Sequence, residues 1–402
     1  MKTIFLIRWL CCLFLLIGMG NISQAQELEG KFRIRWRLNN IPDSVRGVIY
    51  IFSPTMTPSK AIADFSLQNG EMIYEDTISQ PKHLKFFGWA EDFPNWTLDL
   101  WVDQGGWIDI QGKDKWLHQW IITTNIPQQK EALSYAACIA DETDEYLRMD
   151  EKSQARDSLW EDRWHKLNYR SVRKTFEYMK TAPVTEVWID QFLEKAWCTT
   201  GSPDSLRSFR PVFQQLYARM PSEWQETEKG KLIESYAFPA PTVEEGDDMA
   251  DGLLYDAEGE SHHLSELQGR YILLDFWSIY CGPCRMSEPE MEEVVHLYGN
   301  KLALVGISND EKISWSKFLK EHKMPGYQWN EPKNGGRSLA SRYKVGGIPH
   351  FVLISPEGKI LKMERLSKRY NKDQSKEVCN CRIKNNIRSI SKRQEIRNKR
   401  SQ

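Results

Sequence analysis

Three things are scarce in this chain. Cysteine appears only eight times in 402 residues, far too thinly for a disulfide scaffold. Beyond the first twenty residues no apolar run is long enough to span a bilayer, which excludes a multi-pass membrane protein. Net charge is also nearly missing, since 54 Lys and Arg meet 55 Asp and Glu. A balance of −1 gives no global argument for nucleic-acid binding. Disorder is excluded from the other side, because 41% hydrophobic and 27% charged residues can build a packed core. The length predicts two or three domains.

The start of the chain reads as an address. Lys2 and Arg8 precede an apolar stretch from Trp9 to Gly20, and Ser23 and Ala25 supply the small residues of a cleavage site. A signal peptide over 1–25, cut after Ala25, is expected; a retained anchor helix is the alternative. Cys11 and Cys12 open the apolar stretch instead of following it, so they do not mark a lipid anchor. The mature protein is expected outside the cytoplasm, where cysteines tend to oxidise.

Residues 31–38 alternate without a break, with Phe32, Ile34, Trp36 and Leu38 on one face and Lys31, Arg33, Arg35 and Arg37 on the other. That is a strand half in water. Further short β-rich runs follow at 48–52, 62–67, 72–76, 84–89, 97–102 and 107–110, some separated by turn chemistry such as Gln68-Asn69-Gly70. Residues 26–125 read as a small antiparallel β domain. From 126 to 236, long stretches rich in Glu, Lys, Arg and Gln predict three or four helices. Cys138 and Cys198 sit there in apolar helical settings and read as buried inert thiols more readily than as a disulfide. Twelve of the sixteen tryptophans lie between Trp36 and Trp224. Carbohydrate or partner surfaces use such rings, but an ordinary core uses them more.

After Phe238-Pro239-Ala240-Pro241 and an acidic loop, the pattern changes again. A hairpin is expected around Asp256-Ala257-Glu258-Gly259. Tyr271 to Trp277 is a nearly continuous apolar strand, as in a sheet covered on both faces. Helices and strands then alternate as β-α-β-α-β-β, ending in strands 351–354 and 359–363, which predicts a sheet with a parallel section and an antiparallel edge.

Cys281-Gly282-Pro283-Cys284 stands where the apolar strand meets a helix. Two cysteines so spaced can close a small disulfide, and the first one faces the helix N-terminus, where free N–H groups stabilise a thiolate. Cys281 is therefore the expected nucleophile and Cys284 the more buried resolving thiol. Zinc sites use the same spacing, but neither His262-His263 nor Cys379-Asn380-Cys381 brings matching ligands.

Phe276-Trp277-Ser278-Ile279-Tyr280-Cys281-Gly282-Pro283-Cys284-Arg285 resembles the active-site segment of thioredoxin-fold proteins. With Leu264 to Gly269, Val305-Gly306-Ile307-Ser308 and Tyr343 to Pro349, the pattern over about 238–365 resembles the TlpA/ResA-like thiol-disulfide oxidoreductases of the bacterial envelope. The preceding half resembles, more weakly, the uncharacterised N-terminal extension of such proteins in Bacteroidetes. The resemblance implies a multidomain α/β chain: a C-terminal thioredoxin fold over 237–365, a mixed central sheet flanked by helices, behind the β domain and the helical region. It implies a cis bond before Pro349, which turns the Ile348 backbone toward the cysteines to pair with a substrate strand. Asp275 matches the buried acid of thioredoxins and would take the proton of Cys284; a hydrogen-bonded structural acid is the alternative. Pro289 matches the proline that kinks the active-site helix. Trp277, with Gly282 and Pro283, would shape the contact surface, although plain core suits Trp277 equally well.

The implied cofactor is none beyond the Cys281–Cys284 couple. The implied partners are protein thiols or disulfides, apocytochrome c cysteines among them, and a membrane electron donor of the DsbD/CcdA type. The implied place is the periplasm or cell envelope, with membrane association open. The sequence departs from the family at Ser287, where ResA-like proteins often carry Glu, and at His350, where Thr is common; the His350 ring is free to face the cysteines or turn away. A peroxiredoxin-like peroxidase is disfavoured because Ser278 replaces the Thr needed before its cysteine. A Sco-type copper factor is disfavoured because it spaces its cysteines by three residues. A third possibility makes the tryptophan-rich half the main binder. The last 41 residues hold fourteen Lys and Arg against four Asp and Glu, and this +10 leaves −11 for residues 1–361. The basic tail over 366–402 reads as solvated and partly disordered; electrostatic attachment to an anionic surface and an altered reading frame are the alternatives.

Overall fold

The computed structural model describes residues 28–52, 60–90, 95–151, 160–199, 203–331 and 335–365. The expected signal peptide with Cys11 and Cys12, and the basic tail with Cys379 and Cys381, lie outside them. The chain divides into two compact units between Cys198 and Thr199.

The first unit begins with eight strands: β1 (Lys31–Asn39), β2 (Arg46–Ile51), β3 (Ala61–Ser66), β4 (Glu71–Thr77), β5 (Lys82–Trp89), β6 (Trp96–Val102), β7 (Gly106–Lys113) and β8 (Ile121–Thr124). They form two four-stranded sheets, ordered β4-β1-β7-β8 and β3-β2-β5-β6. The alternation read in β1 is the observed one, with Phe32, Ile34, Trp36 and Leu38 buried. They meet Ile49, Phe65, Leu84, Phe86 and Leu100 of the other sheet in one core, which makes the unit a sandwich. Pairing is antiparallel except between β1 and β7, which run parallel. The Asn69-Gly70 turn does not close a hairpin within one sheet. Both residues have positive φ, 53° and 77°, and the turn passes the chain from β3 at the edge of one sheet to β4 at the edge of the other. Trp36, Trp96, Trp101, Trp120 and Trp188 are buried, so the core reading holds for much of the tryptophan cluster; Trp89 and Trp197 are exposed.

Four helices follow in this unit, α1 (Pro127–Cys138), α2 (Ala140–Glu151), α3 (Trp160–Met179) and α4 (Glu186–Thr199). A buried ionic network ties α4 to the sheet. The His83 ring nitrogens lie 3.0 Å from Asp190 Oδ2 and 3.0 Å from Asp99 Oδ1. Lys85 Nζ lies 2.9 Å from Glu194 Oε2 and 3.3 Å from Asp99 Oδ1. Burial alone would neutralise Lys85, but Asp99 and Glu194 outweigh it and hold the ammonium above its usual range. Cys138 and Cys198 are unpaired, as expected, with burial raising both thiols.

The second unit opens with α5 (Pro203–Tyr217), α6 (Ser222–Gln225) and α7 (Glu228–Ala237). Between 126 and 237 the described residues thus hold seven α-helices where sequence predicted three or four. The helix α7 is fastened to the C-terminal domain: the Gly336 N–H donates to Ser235 Oγ at 3.1 Å, and Arg337 pairs with Glu234 at 3.2 Å.

Its sheet has seven strands: β9 (Leu254–Tyr255), β10 (Ser261–His262), β11 (Tyr271–Phe276), β12 (Leu302–Ser308), β13 (Tyr327–Asn330), β14 (His350–Ile354) and β15 (Ile360–Arg365). The order is β10-β9-β13-β12-β11-β14-β15, with β11, β12 and β13 parallel and β14 and β15 antiparallel beside them. This is the thioredoxin fold with the expected mixed sheet. Strand β13 had not been expected; Tyr-Gln-Trp-Asn shows no apolar run. Helices α8 (Gly282–Met286), α9 (Glu288–Tyr298), α10 (Lys312–Glu321) and α11 (Leu339–Arg342) complete the domain. Ile272, Leu274 and Phe276 pack on one face of the sheet, and Leu273 packs on the other with Met291 and Val294 of α9. No helix among the described residues is long and apolar enough to cross a membrane.

Candidate functional site

The central strand β11 ends at Phe276, and Trp277 to Cys281 lead the chain into α8. Cys281 caps that helix with an extended backbone, and its Sγ accepts the Cys284 N–H at 3.1 Å. The two cysteines are joined, with Sγ–Sγ 2.01 Å and Cα–Cα 5.3 Å. Cys281 is half-buried while Cys284 is only 4% exposed. A thiolate that attacks an incoming disulfide must be reached from solvent, and a resolving thiol need not be. Gly282 and Pro283 between them are exposed.

Trp277 is buried and packs with Cys284 and Trp315; its ring lies 5.9 Å from Phe318. Arg285 stacks its guanidinium over Phe318 at 4.4 Å and pairs with Glu288. Pro289 lacks the N–H that would bond back to Arg285, and the helix is split here into α8 and α9 around Ser287. The Ser287 hydroxyl, in the place of the family's acid, is buried and donates to the Cys284 carbonyl at 2.7 Å.

Strand alternation puts Asp275 on the same face as Leu273, beneath α9. The side chain is buried, and Asp275 Oδ1 has no hydrogen-bond partner among the described residues. Burial, helped by the negative charge of Glu288, pushes its pKa up to about 7. An acid in that condition can take and return a proton near neutrality.

The Ile348–Pro349 bond is cis. It leads directly into β14, whose His350 pairs with Phe276 at the end of β11, so Pro349 lies level with the start of the cysteine loop. Ile348 is 39% exposed, as are Tyr280 and Met286 to greater degrees. His350 is buried with its ring edge-on to Phe276 at 6.2 Å, on the sheet face opposite Asp275.

One polar residue at this site was not singled out from sequence. Asp310, just beyond the end of β12, accepts from Ser278 Oγ at 2.7 Å and from the Ile279 N–H at 2.8 Å. The signal available was position: a polar side chain after the strand neighbouring β11, at the carboxyl end where such sheets place their sites.

Residues 269–360 match the model of a family described as thioredoxin-like. The thiol-disulfide oxidoreductase ResA of Bacillus subtilis is 29% identical over 124 residues, which are 30% of this chain and 68% of the relative. The protein of the same name from Halalkalibacterium halodurans is 28% identical over 120 residues, 29% of this chain and 66% of that one. The chain thus spans about two thirds of the length of these curated relatives. Among solved structures, the thioredoxin domain of a thiol-disulfide oxidoreductase from Bacteroides vulgatus is 27% identical, covering 31% of this chain and 91% of its own, with a TM-score of 0.29.

Proposed function

We propose that this chain, whose C-terminal domain is thioredoxin-like and similar to the thiol-disulfide oxidoreductases, is an exported enzyme of that kind that reduces disulfides in envelope proteins. The observation that carries the proposal is the disulfide between a half-exposed Cys281 at a helix cap and a buried Cys284. In the reduced enzyme the Cys281 thiolate attacks one sulfur of a substrate disulfide, and the other sulfur leaves as a thiolate. Cys284 gives its proton to Asp275 and attacks Cys281 Sγ, which releases the second substrate thiol and forms the internal disulfide. Two electrons have then passed from the enzyme dithiol to the substrate. Ile348, beside the cis Pro349, offers backbone groups to an extended substrate segment, and Trp277, Gly282 and Pro283 bound the surface it meets.

No cofactor beyond the cysteine pair enters the cycle. A membrane dithiol donor of the DsbD/CcdA type would return the two electrons, and apocytochrome c cysteines are one substrate class that suits a reducing couple outside the cytoplasm. The direction follows from the Gly-Pro dipeptide, which resembles the reducing end of the family. The test is a Cys284→Ala variant expressed with its leader. It accumulates mixed disulfides through Cys281 that dithiothreitol dissolves; if no partner is trapped while the variant is folded and exported, the mechanism is wrong.

A further inference from the structure

We infer that Asp310 is a positioning residue for Cys281, acting through Ser278; the role rests on the proposed exchange reaction. The loop 277–280 decides where Cys281 sits. Backbone bonds hold its two ends, Trp277 N–H to the Ile307 carbonyl at 3.1 Å and Cys281 N–H to the Ser278 carbonyl at 3.0 Å. Its middle is held by one carboxylate. Asp310 Oδ1 accepts from Ser278 Oγ at 2.7 Å, and Oδ2 accepts from the Ile279 N–H at 2.8 Å. The Ser278 hydroxyl oxygen in turn accepts the Tyr280 N–H at 3.2 Å. Three consecutive residues before Cys281 are thus fixed by a single side chain that is 7% exposed.

The carboxylate is itself clamped. Ser308 Oγ donates to Oδ2 at 2.8 Å and accepts the Asp310 N–H at 3.1 Å, while Asn330 Nδ2 donates to the Asp310 carbonyl at 3.0 Å. The chain of bonds runs from the ends of β12 and β13 to the residue before the nucleophile. Its consequence at the chemistry is the Cys284 N–H held on Cys281 Sγ. A donor so placed favours the thiolate, and it stays in place only while the loop is pinned. Asparagine at 310 has one acceptor oxygen where the carboxylate has two, so it cannot serve the Ser278 hydroxyl on one side and the Ile279 N–H and Ser308 hydroxyl on the other at once.

The test uses the reduced full-length chain and three variants: Asp310→Asn, Ser278→Ala and Ser278→Thr. Iodoacetamide pulses across pH 4 to 10 (about six units) are read by mass spectrometry, in which peptide masses separate the active-site peptide from those of Cys138 and Cys198, and fragment ions separate Cys281 from Cys284 within it. Loss of one bond to a charged sulfur corresponds to a midpoint raised by about one pH unit in both Asp310→Asn and Ser278→Ala, with exchange against oxidised glutathione slowed about tenfold. Ser278→Thr, which keeps the hydroxyl, stays near the parent. Unchanged midpoints in both disruptive variants overturn the inference. So does a downward shift in Asp310→Asn alone, which would mean that the carboxylate acts only by its charge. Ser278→Ala removes one hydroxyl, so it reports even if Asp310→Asn fails to fold. Alkylation needs no exchange activity, so a parent protein that ignores oxidised glutathione sinks the proposed function and leaves this test readable.

Discussion

Asp275→Asn should stabilise the C-terminal domain, and the gain should depend on pH. In the folded protein burial pushes the Asp275 pKa up from 3.8 to about 7. The folded domain therefore keeps a proton that the unfolded chain has lost, and stability falls as pH rises between those two values. Below about pH 4 both states are protonated and the carboxyl costs nothing; above about pH 7 both are ionised and the full penalty applies. At about 1.4 kcal/mol for each pH unit, the penalty reaches roughly 4 kcal/mol, an upper figure for a buried group. Asparagine carries no charge at any pH, so the difference between variant and parent isolates the carboxylate. Amide hydrogen exchange in Ile272, Leu273 and Leu274 suits the measurement, since these buried central-strand groups open only when the domain unfolds. Comparing the two proteins at each pH cancels the intrinsic exchange rates. Protection in the variant should exceed the parent's by about a thousandfold at pH 8, and the two should converge near pH 4. A ratio that does not change with pH would refute the claim that Asp275 is held protonated by burial.

Two predictions concern the first unit. Lys85→Met removes the cation that Asp99 and Glu194 share, leaving them only His83 and Lys195, and should cost about 3–5 kcal/mol of unfolding free energy by urea titration; adding Glu194→Leu should recover part of it. Gly70→Ala puts a Cβ 2.5 Å from the Leu38 carbonyl oxygen at a φ of +77°, and should cost about 1–3 kcal/mol in the same titration.

What could be read from sequence was what is local. The β1 alternation named its buried residues because a half-wet strand writes its face into every second position. The apolar run 271–277 and the Cys-Gly-Pro-Cys turn lie next to each other in the chain, so the centre of the site was visible at once. Partners across sequence were not. Nothing in β1 or β7 says that they run parallel, because a strand's pattern describes its faces and not its neighbours. Helices α1 and α2 are separated only at Ile139, with neither Gly nor Pro to mark the break, and so they read as one. Asp310 stayed hidden because its partner Ser278 lies 32 residues earlier, and only the pairing of β11 with β12 brings the two together. His350 could not be placed until β14 was paired with β11, which sets its ring beside Phe276.

The most direct test of the account is the reduction potential of the Cys281–Cys284 couple in the full-length chain, equilibrated against dithiothreitol and glutathione buffers and read from the mass of the active-site peptide. The account predicts one reversible two-electron couple near the thioredoxin value of about −270 mV. A pair that never exchanges with either buffer, or one that settles near about −120 mV with the strong oxidants, would contradict it.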